Sequence, residues 1–122
     1  MPIPLYERLG GQPAIRATVT KLYQKILHDP ELAAFFRNID IDRLRHSQTA
    51  FVSHAFGAPS TYQGKSLRDV HAKAVQNGLS DKHFDRVVLH LRDAMTELNI
   101  PESLIQEALA IVASTKQDVL NR

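Results

Sequence analysis

The feature that most constrains this sequence is a succession of segments whose apolar residues recur every three or four positions, with helix start and stop signals between them. No window alternates strictly between apolar and polar residues, as a half-buried strand would. The pattern therefore predicts an all-α chain. Gly10 and Gly11 break a short opening segment. We expect the later helices at about residues 13–28, 30–36, 41–56, 66–78, 81–98 and 101–117.

Residues that favour helix starts stand at most of these boundaries. Asp29, Asp40 and Ser80 are predicted N-caps, because short polar side chains accept hydrogen bonds from the first free backbone N–H groups. Pro13 and Pro101 suit a first helical turn, where no N–H is needed. The connections are short and no linker or repeat is present, so we expect one domain over residues 1–122.

The charge and the cysteine count exclude several function classes. Fifteen Lys and Arg against thirteen Asp and Glu leave a net charge of +2, and the basic residues are dispersed, which gives no nucleic-acid footprint. No segment has the basic and apolar regions of a leader or approaches the roughly 18 apolar residues of a membrane span. We therefore expect a cytoplasmic protein without a membrane partner. The absence of cysteine excludes disulfides, thiolate catalysis and cysteine-bound metal sites.

Three polar residues interrupt the apolar stripes of three separate predicted helices. They are Tyr23, Gln48 and His71, and Gln48 lies one turn from both Leu44 and Phe51. A buried amide or imidazole without a partner costs roughly 1 to 3 kcal/mol, so one shared explanation is attractive. A polar ligand in an apolar pocket between the three helices would provide it.

A structural interpretation of each residue stays open at this point. A histidine on an apolar face is often a hydrogen-bonded core residue, a tyrosine is ordinary core with its hydroxyl at the edge, and a glutamine can bond a backbone carbonyl. Of the other five histidines, only His83 is placed to point inward. Neither HExxH nor a two-histidine, one-carboxylate grouping occurs, so zinc hydrolase chemistry has little support.

The order of features resembles the group 1 truncated haemoglobins over nearly the whole chain. The matching segments, in family order, are LYERLGG, KLYQKIL, the FF pair, DRLRHSQTAF, HAFGAPSTYQGKSLRDVH, GLSDKHFDRVV and DVLNR. The resemblance implies a shortened two-over-two helical sandwich around one haem b, with almost no first helix and an extended loop before the proximal helix.

The same resemblance implies a role for each residue of the trio. His71 occupies the proximal position and would bind the haem iron through Nε2, while Tyr23 and Gln48 match distal positions that hydrogen-bond bound dioxygen. Leu44 matches a distal position that varies between polar and apolar in the family. Lys65 would pair with a haem propionate, a solvated lysine being the alternative. The other expected pocket residues are Phe36, Phe51, Leu67 and Phe84.

The chain departs from the family pattern at three places. Ser47 stands where some members have a histidine that becomes a sixth iron ligand, and His46 should turn outward, so we expect a five-coordinate iron. Thr115 is the nearest match to a histidine that attaches haem covalently in certain members, so we expect noncovalent haem. Gly57-Ala58 replaces a glycine pair at the end of the distal helix.

These features predict that the protein reversibly binds dioxygen, nitric oxide or carbon monoxide, with oxygen binding or transport as its role. Nitric oxide dioxygenase activity is the alternative of the same chemistry; it would need a separate reductase, because the chain has no room for a flavin or nicotinamide domain. The alternative of a different class is a haem-free helical interaction module, in which Tyr23, Gln48 and His71 are satisfied core residues.

Overall fold

The structure is a computed structural model that describes residues 3–59 and 66–122. These residues form eight α-helices and no strand. A turn of 3₁₀-helix at Ala34–Phe36 extends the third helix. The helices are α1 Leu5–Leu9, α2 Gln12–Leu27, α3 Pro30–Ala33, α4 Ile41–Ala55, α5 Leu67–Gln76, α6 Asp81–Glu97, α7 Glu102–Ala113 and α8 Lys116–Val119.

Local hydrogen bonds explain several of these boundaries. The side chains of Asp29 and Asp40 accept from the backbone N–H groups of Glu31 and Arg43, at 3.1 and 3.2 Å, as predicted for N-caps. α4 and α5 are followed by glycines with positive φ, Gly57 at 96° and Gly78 at 102°. Glycine adopts this conformation without a Cβ penalty, so it ends a helix readily.

The end of the last long helix differs from the prediction. We expected it to continue to about residue 117, but α7 ends at Ala113 and α8 follows as a separate helix. The hydroxyls of Ser114 and Thr115 donate to the carbonyls three residues earlier, at 2.5 and 2.6 Å. Such bonds compete with the helical ladder, and the apolar pattern of the segment does not register them.

The four long helices supply most of the core. α2 packs against both α4 and α6, α6 packs against α7, and α1 covers part of α7. No described helix is long and apolar enough to cross a membrane. The core residues on these long helices and on the short segments packed with them are Leu5, Ile15, Val19, Tyr23, Ile26, Leu32, Phe56, Leu91, Met95, Ile105 and Ala108.

α5 lies outside this core. It contributes no fully buried residue, and its main packing partner among the described elements is α8. Its apolar residues are therefore only partly covered by protein, and Val70 is 42% exposed.

Candidate functional site

His71 lies in the middle of α5 with its two ring nitrogens in different environments. Its Nδ1 is 2.8 Å from the carbonyl oxygen of Leu67, one turn earlier. Because a carbonyl can only accept, Nδ1 carries the proton, and Nε2 of the neutral ring keeps its lone pair. This is the arrangement of a metal-binding histidine whose second nitrogen is oriented by a backbone carbonyl.

Among the described residues, no second metal-binding side chain accompanies His71. Within residues 3–59 and 66–122, no group of three or more His, Asp or Glu side chains is placed to hold a metal ion. A metal bound by Nε2 would therefore need most of its ligands from another molecule. The four pyrrole nitrogens of a haem meet that requirement.

Tyr23 lies on α2 with its side chain 7% exposed. No described residue forms a hydrogen bond with its hydroxyl, and burial raises the pKa of that hydroxyl well above its ordinary value. The hydroxyl is consequently neutral and able to donate. Its ring packs edge-to-face on Phe36, with centroids 5.8 Å apart and planes at 85°.

α4 presents two different lines of residues. Its most buried line consists of Thr49, Ser53 and the following Phe56, and the Thr49 hydroxyl donates to the Arg45 carbonyl at 2.8 Å. The predicted stripe, which contains Leu44 and Gln48, is only half-buried.

The side-chain amide of Gln48 forms no hydrogen bond with a described residue, whereas the hydroxyl of Thr49 beside it donates to a backbone carbonyl. Leu44 packs against the core. Since α4 packs on α2, Gln48 and Tyr23 belong to neighbouring helices, and both have unused hydrogen-bonding groups.

The remaining predicted pocket residues fall into three situations. Phe36, Phe51 and Leu67 are half-buried. The ring of Phe36 packs on that of Tyr23, and the carbonyl of Leu67 accepts the hydrogen bond from His71. Phe84 is buried, and the ammonium of Lys116 lies 5.5 Å from the centre of its ring. Lys65 lies outside the described residues.

His83 points inward, as its position on the helix predicts, but it has a structural task. Its Nδ1 accepts a hydrogen bond from the backbone N–H of Ser80 at 3.0 Å, in the place that Glu or Gln takes in a capping box. Its ring meets that of Phe35 at 5.0 Å and 74°. His83 therefore stabilises the N-terminus of α6.

A buried ionic cluster surrounds Asp29, and helical periodicity gives no sign of it. This carboxylate is 4% exposed and accepts bonds of 2.7 Å from both Arg86 Nε and His90 Nε2 on α6. These bonds hold the pKa of Asp29 well below its usual range. The four-residue spacing of Arg86 and His90 marks them as neighbours on one helix face, but their partner is distant in sequence.

Comparison with known proteins assigns the family. Residues 4–121 match the family described as bacterial-like globin. The chain is 41% identical to a group 1 truncated haemoglobin of Chlamydomonas moewusii, over 98% of this chain and 70% of that one. It is 39% identical to the corresponding protein of Synechocystis sp., over 97% and 98% of the two chains.

A solved structure confirms the predicted all-α, two-over-two fold. The 2/2 haemoglobin of Synechococcus sp., crystallised in the cyanomet state with covalently attached haem, superposes with a TM-score of 0.93 at 40% identity. The match covers 98% of this chain and all of that one. This chain therefore belongs to the bacterial-like globin family, as a group 1 truncated haemoglobin.

Proposed function

We propose that this chain holds one noncovalent haem b through Nε2 of His71 and reversibly binds dioxygen, with carbon monoxide and nitric oxide as further ligands. The observation that carries the proposal is the 2.8 Å bond from His71 Nδ1 to the Leu67 carbonyl, which leaves Nε2 as the donor atom. When bound, haem supplies an iron centre with a coordination position for a small gas.

The surroundings of His71 fit a large, mostly apolar group. The predicted stripes of α4 and α5 are mostly apolar, and their side chains are half-buried or, at Val70, exposed, so they have surface to offer to a ligand. The proposed pocket residues on these stripes are Leu44, Phe51 and Leu67, with Phe36 and Phe84 from neighbouring elements. Lys65 is proposed to pair with a propionate.

Noncovalent binding is supported by the side chains available for attachment. The sequence has no cysteine, and therefore no C-x-x-C-H motif. Covalently attached haem is a property of the Synechococcus relative. In this chain Thr115 has no imidazole, and its hydroxyl already donates to the Val112 carbonyl.

The distal residues are suited to donate to a gas ligand. The Tyr23 hydroxyl stays protonated because burial raises its pKa, and its contact with Phe36 holds the ring. Gln48 offers an amide N–H from the adjacent helix. Preorganised donors in a pocket with little water stabilise a partly negative ligand strongly, so we expect slow dioxygen release.

A five-coordinate iron is supported by the outward position of the alternative ligands. His46 and Ser47 are both exposed on α4, on the side away from its half-buried stripe. We therefore expect neither side chain to bind the iron.

Haem titration of wild type, His71→Ala and His46→Ala tests the assignment. We expect a Soret band in the wild type and in H46A, whose histidine is exposed, and loss of the band in H71A with partial recovery in imidazole. Equal haem binding by H71A and the wild type would contradict the proposal. Loss of binding in H46A as well would indicate that the distal helix had been disturbed.

Stopped-flow mixing of the oxygenated protein with nitric oxide separates dioxygen binding from nitric oxide dioxygenation, the alternative that requires a reductase. Rapid, stoichiometric formation of nitrate and ferric haem would favour the enzyme. A slow reaction would favour a carrier or store.

A further inference from the structure

α5 carries His71, and the segment that holds α5 in place is residues 116–122. This segment contains α8, which is the main packing partner of α5. Leu120 anchors it to the rest of the molecule, since its side chain is only 4% exposed. Among the described elements, this segment therefore supports α5 more than the main core does.

Two side chains connect the segment to the first turn of α5. Asn121 Nδ2 donates to the main-chain carbonyl of Arg68 at 3.0 Å and lies 3.3 Å from that of Asp118. The Arg68 guanidinium donates to the Arg122 carbonyl at 2.5 Å and to Asp118 Oδ1 at 3.4 Å. The first of these connections holds the backbone of α5, and the second holds only a side chain.

The backbone connection adjoins the group that orients His71. Leu67 and Arg68 contribute consecutive carbonyls: the first accepts from His71 Nδ1 and the second accepts from Asn121. A rotation of the first turn of α5 would move both carbonyls together, and the imidazole with them. Fixing the second carbonyl therefore fixes the direction of His71 Nε2.

We propose that Asn121 is a positioning residue for His71. By holding the first turn of α5, Asn121 fixes the carbonyl that orients the imidazole toward the haem. The inference rests on the proposed function of His71 as the iron ligand. The Arg68–Asp118 ion pair contributes little, because its side chains are 46% and 61% exposed and are screened by water.

Asparagine suits position 121 for two reasons that substitution can separate. Its φ is 60°, in the left-handed region that Asn and Gly tolerate best, and its amide is the donor to Arg68. Asn121→Gly keeps the conformation and removes the donor. Asn99 has a φ of 61° just beyond α6, and its side chain forms no hydrogen bond with a described residue of α5, so Asn99→Gly is a matched control for backbone flexibility.

The test compares wild type, N121G and N99G by resonance Raman spectroscopy of the ferrous deoxygenated protein and by the rate of haem transfer to excess apomyoglobin. We expect N121G to shift or broaden the iron–histidine band and to lose haem about tenfold faster, the lower end of what outer-shell partners contribute. N99G should match the wild type. Asn121→Asp, which has the same shape without the N–H donor, should behave like N121G.

An unchanged iron–histidine band and haem-loss rate in both N121G and N121D would overturn the proposal, as would equal effects in N99G. Hydrogen–deuterium exchange of residues 67–76 in the purified proteins gives a readout that does not require haem. If the wild type failed to bind haem, the proposed function would fall, whereas faster exchange in N121G than in N99G would still establish that Asn121 restrains α5. Equal exchange would overturn the restraint itself.

Discussion

Replacing Tyr23 by Phe removes one oxygen atom and leaves the shape of the side chain unchanged. The hydroxyl bonds no described residue, so its removal breaks no known protein contact, and the edge-to-face packing on Phe36 is kept. The haem-free protein should therefore be at least as stable as the wild type. Any effect on gas binding should then come from the lost donor.

The magnitude follows from the strength of one hydrogen bond. A neutral hydroxyl that donates to a partly charged acceptor contributes about 1.5 to 3 kcal/mol. At about 1.4 kcal/mol per factor of ten, Y23F should release dioxygen roughly ten to a hundred times faster than the wild type. Carbon monoxide carries less negative charge when bound, so its release should change much less.

Stopped-flow displacement of dioxygen by carbon monoxide measures the release rate directly. Tyr6→Phe is a matched control, because Tyr6 is a half-buried tyrosine on α1 that packs against the core. We expect Y6F to release dioxygen at the wild-type rate. A release rate in Y23F within a factor of two of the wild type would refute the role of Tyr23 as the principal donor.

Three further predictions concern other parts of the molecule. Gln48→Leu should speed dioxygen release by about tenfold or less, since Gln48 is only half-buried and its amide, partly exposed to water, contributes about 0.5 to 1.5 kcal/mol. A Y23F/Q48L double-mutant cycle measures whether the two donors act on one ligand, and an unchanged release rate in Q48L, both alone and in the Y23F background, would exclude Gln48 as a donor. Arg86 and His90 hold the pKa of Asp29 low, so the carboxylate contributes stability that is present above its unfolded pKa and is lost as the pH falls toward its folded pKa. Asp29→Asn should therefore lower the free energy of unfolding by about 1 to 3 kcal/mol at pH 7 and flatten the decline of Tm between about pH 5 and 3. A decline of Tm as steep as that of the wild type would contradict this. Gly57→Ala should destabilise the protein more than Gly78→Ala: both glycines have positive φ, but only at Gly57 would an added Cβ meet Pro4, at 2.9 Å. Equal losses in the free energy of unfolding, measured in urea, would argue against the contact between Pro4 and the end of α4.

Local sequence signals predicted most helices well because their causes are local. Asp29 and Asp40 cap the helices at which they were expected, and α2, α4 and α6 begin and end within about two residues of the predicted positions. The predicted end of α7 was wrong because the hydroxyls of Ser114 and Thr115 donate to backbone carbonyls, and the apolar pattern of the segment contains no sign of these bonds.

The candidate site was only partly predictable for a different reason. Periodicity selected Tyr23, Gln48 and His71 as polar interruptions, but it left each one open to a structural explanation. The side chains of Tyr23 and Gln48 have no hydrogen bond to a described residue, and His71 uses only Nδ1 to donate to a carbonyl. His83 differs, because its Nδ1 accepts the capping bond from Ser80. The Asp29–Arg86 pair and the Asn121–Arg68 bond join residues more than 50 positions apart, and helical periodicity gives no information about such pairs.

The central claim is that Nε2 of His71 is the protein ligand of the haem iron. Resonance Raman spectroscopy of the ferrous deoxygenated protein tests it directly, because the iron–histidine stretching band exists only when an imidazole is coordinated. We predict the band in the wild type and in His46→Ala, its absence in His71→Ala, and its return on addition of imidazole. Persistence of the band in His71→Ala, or its absence from the wild type, would contradict the assignment.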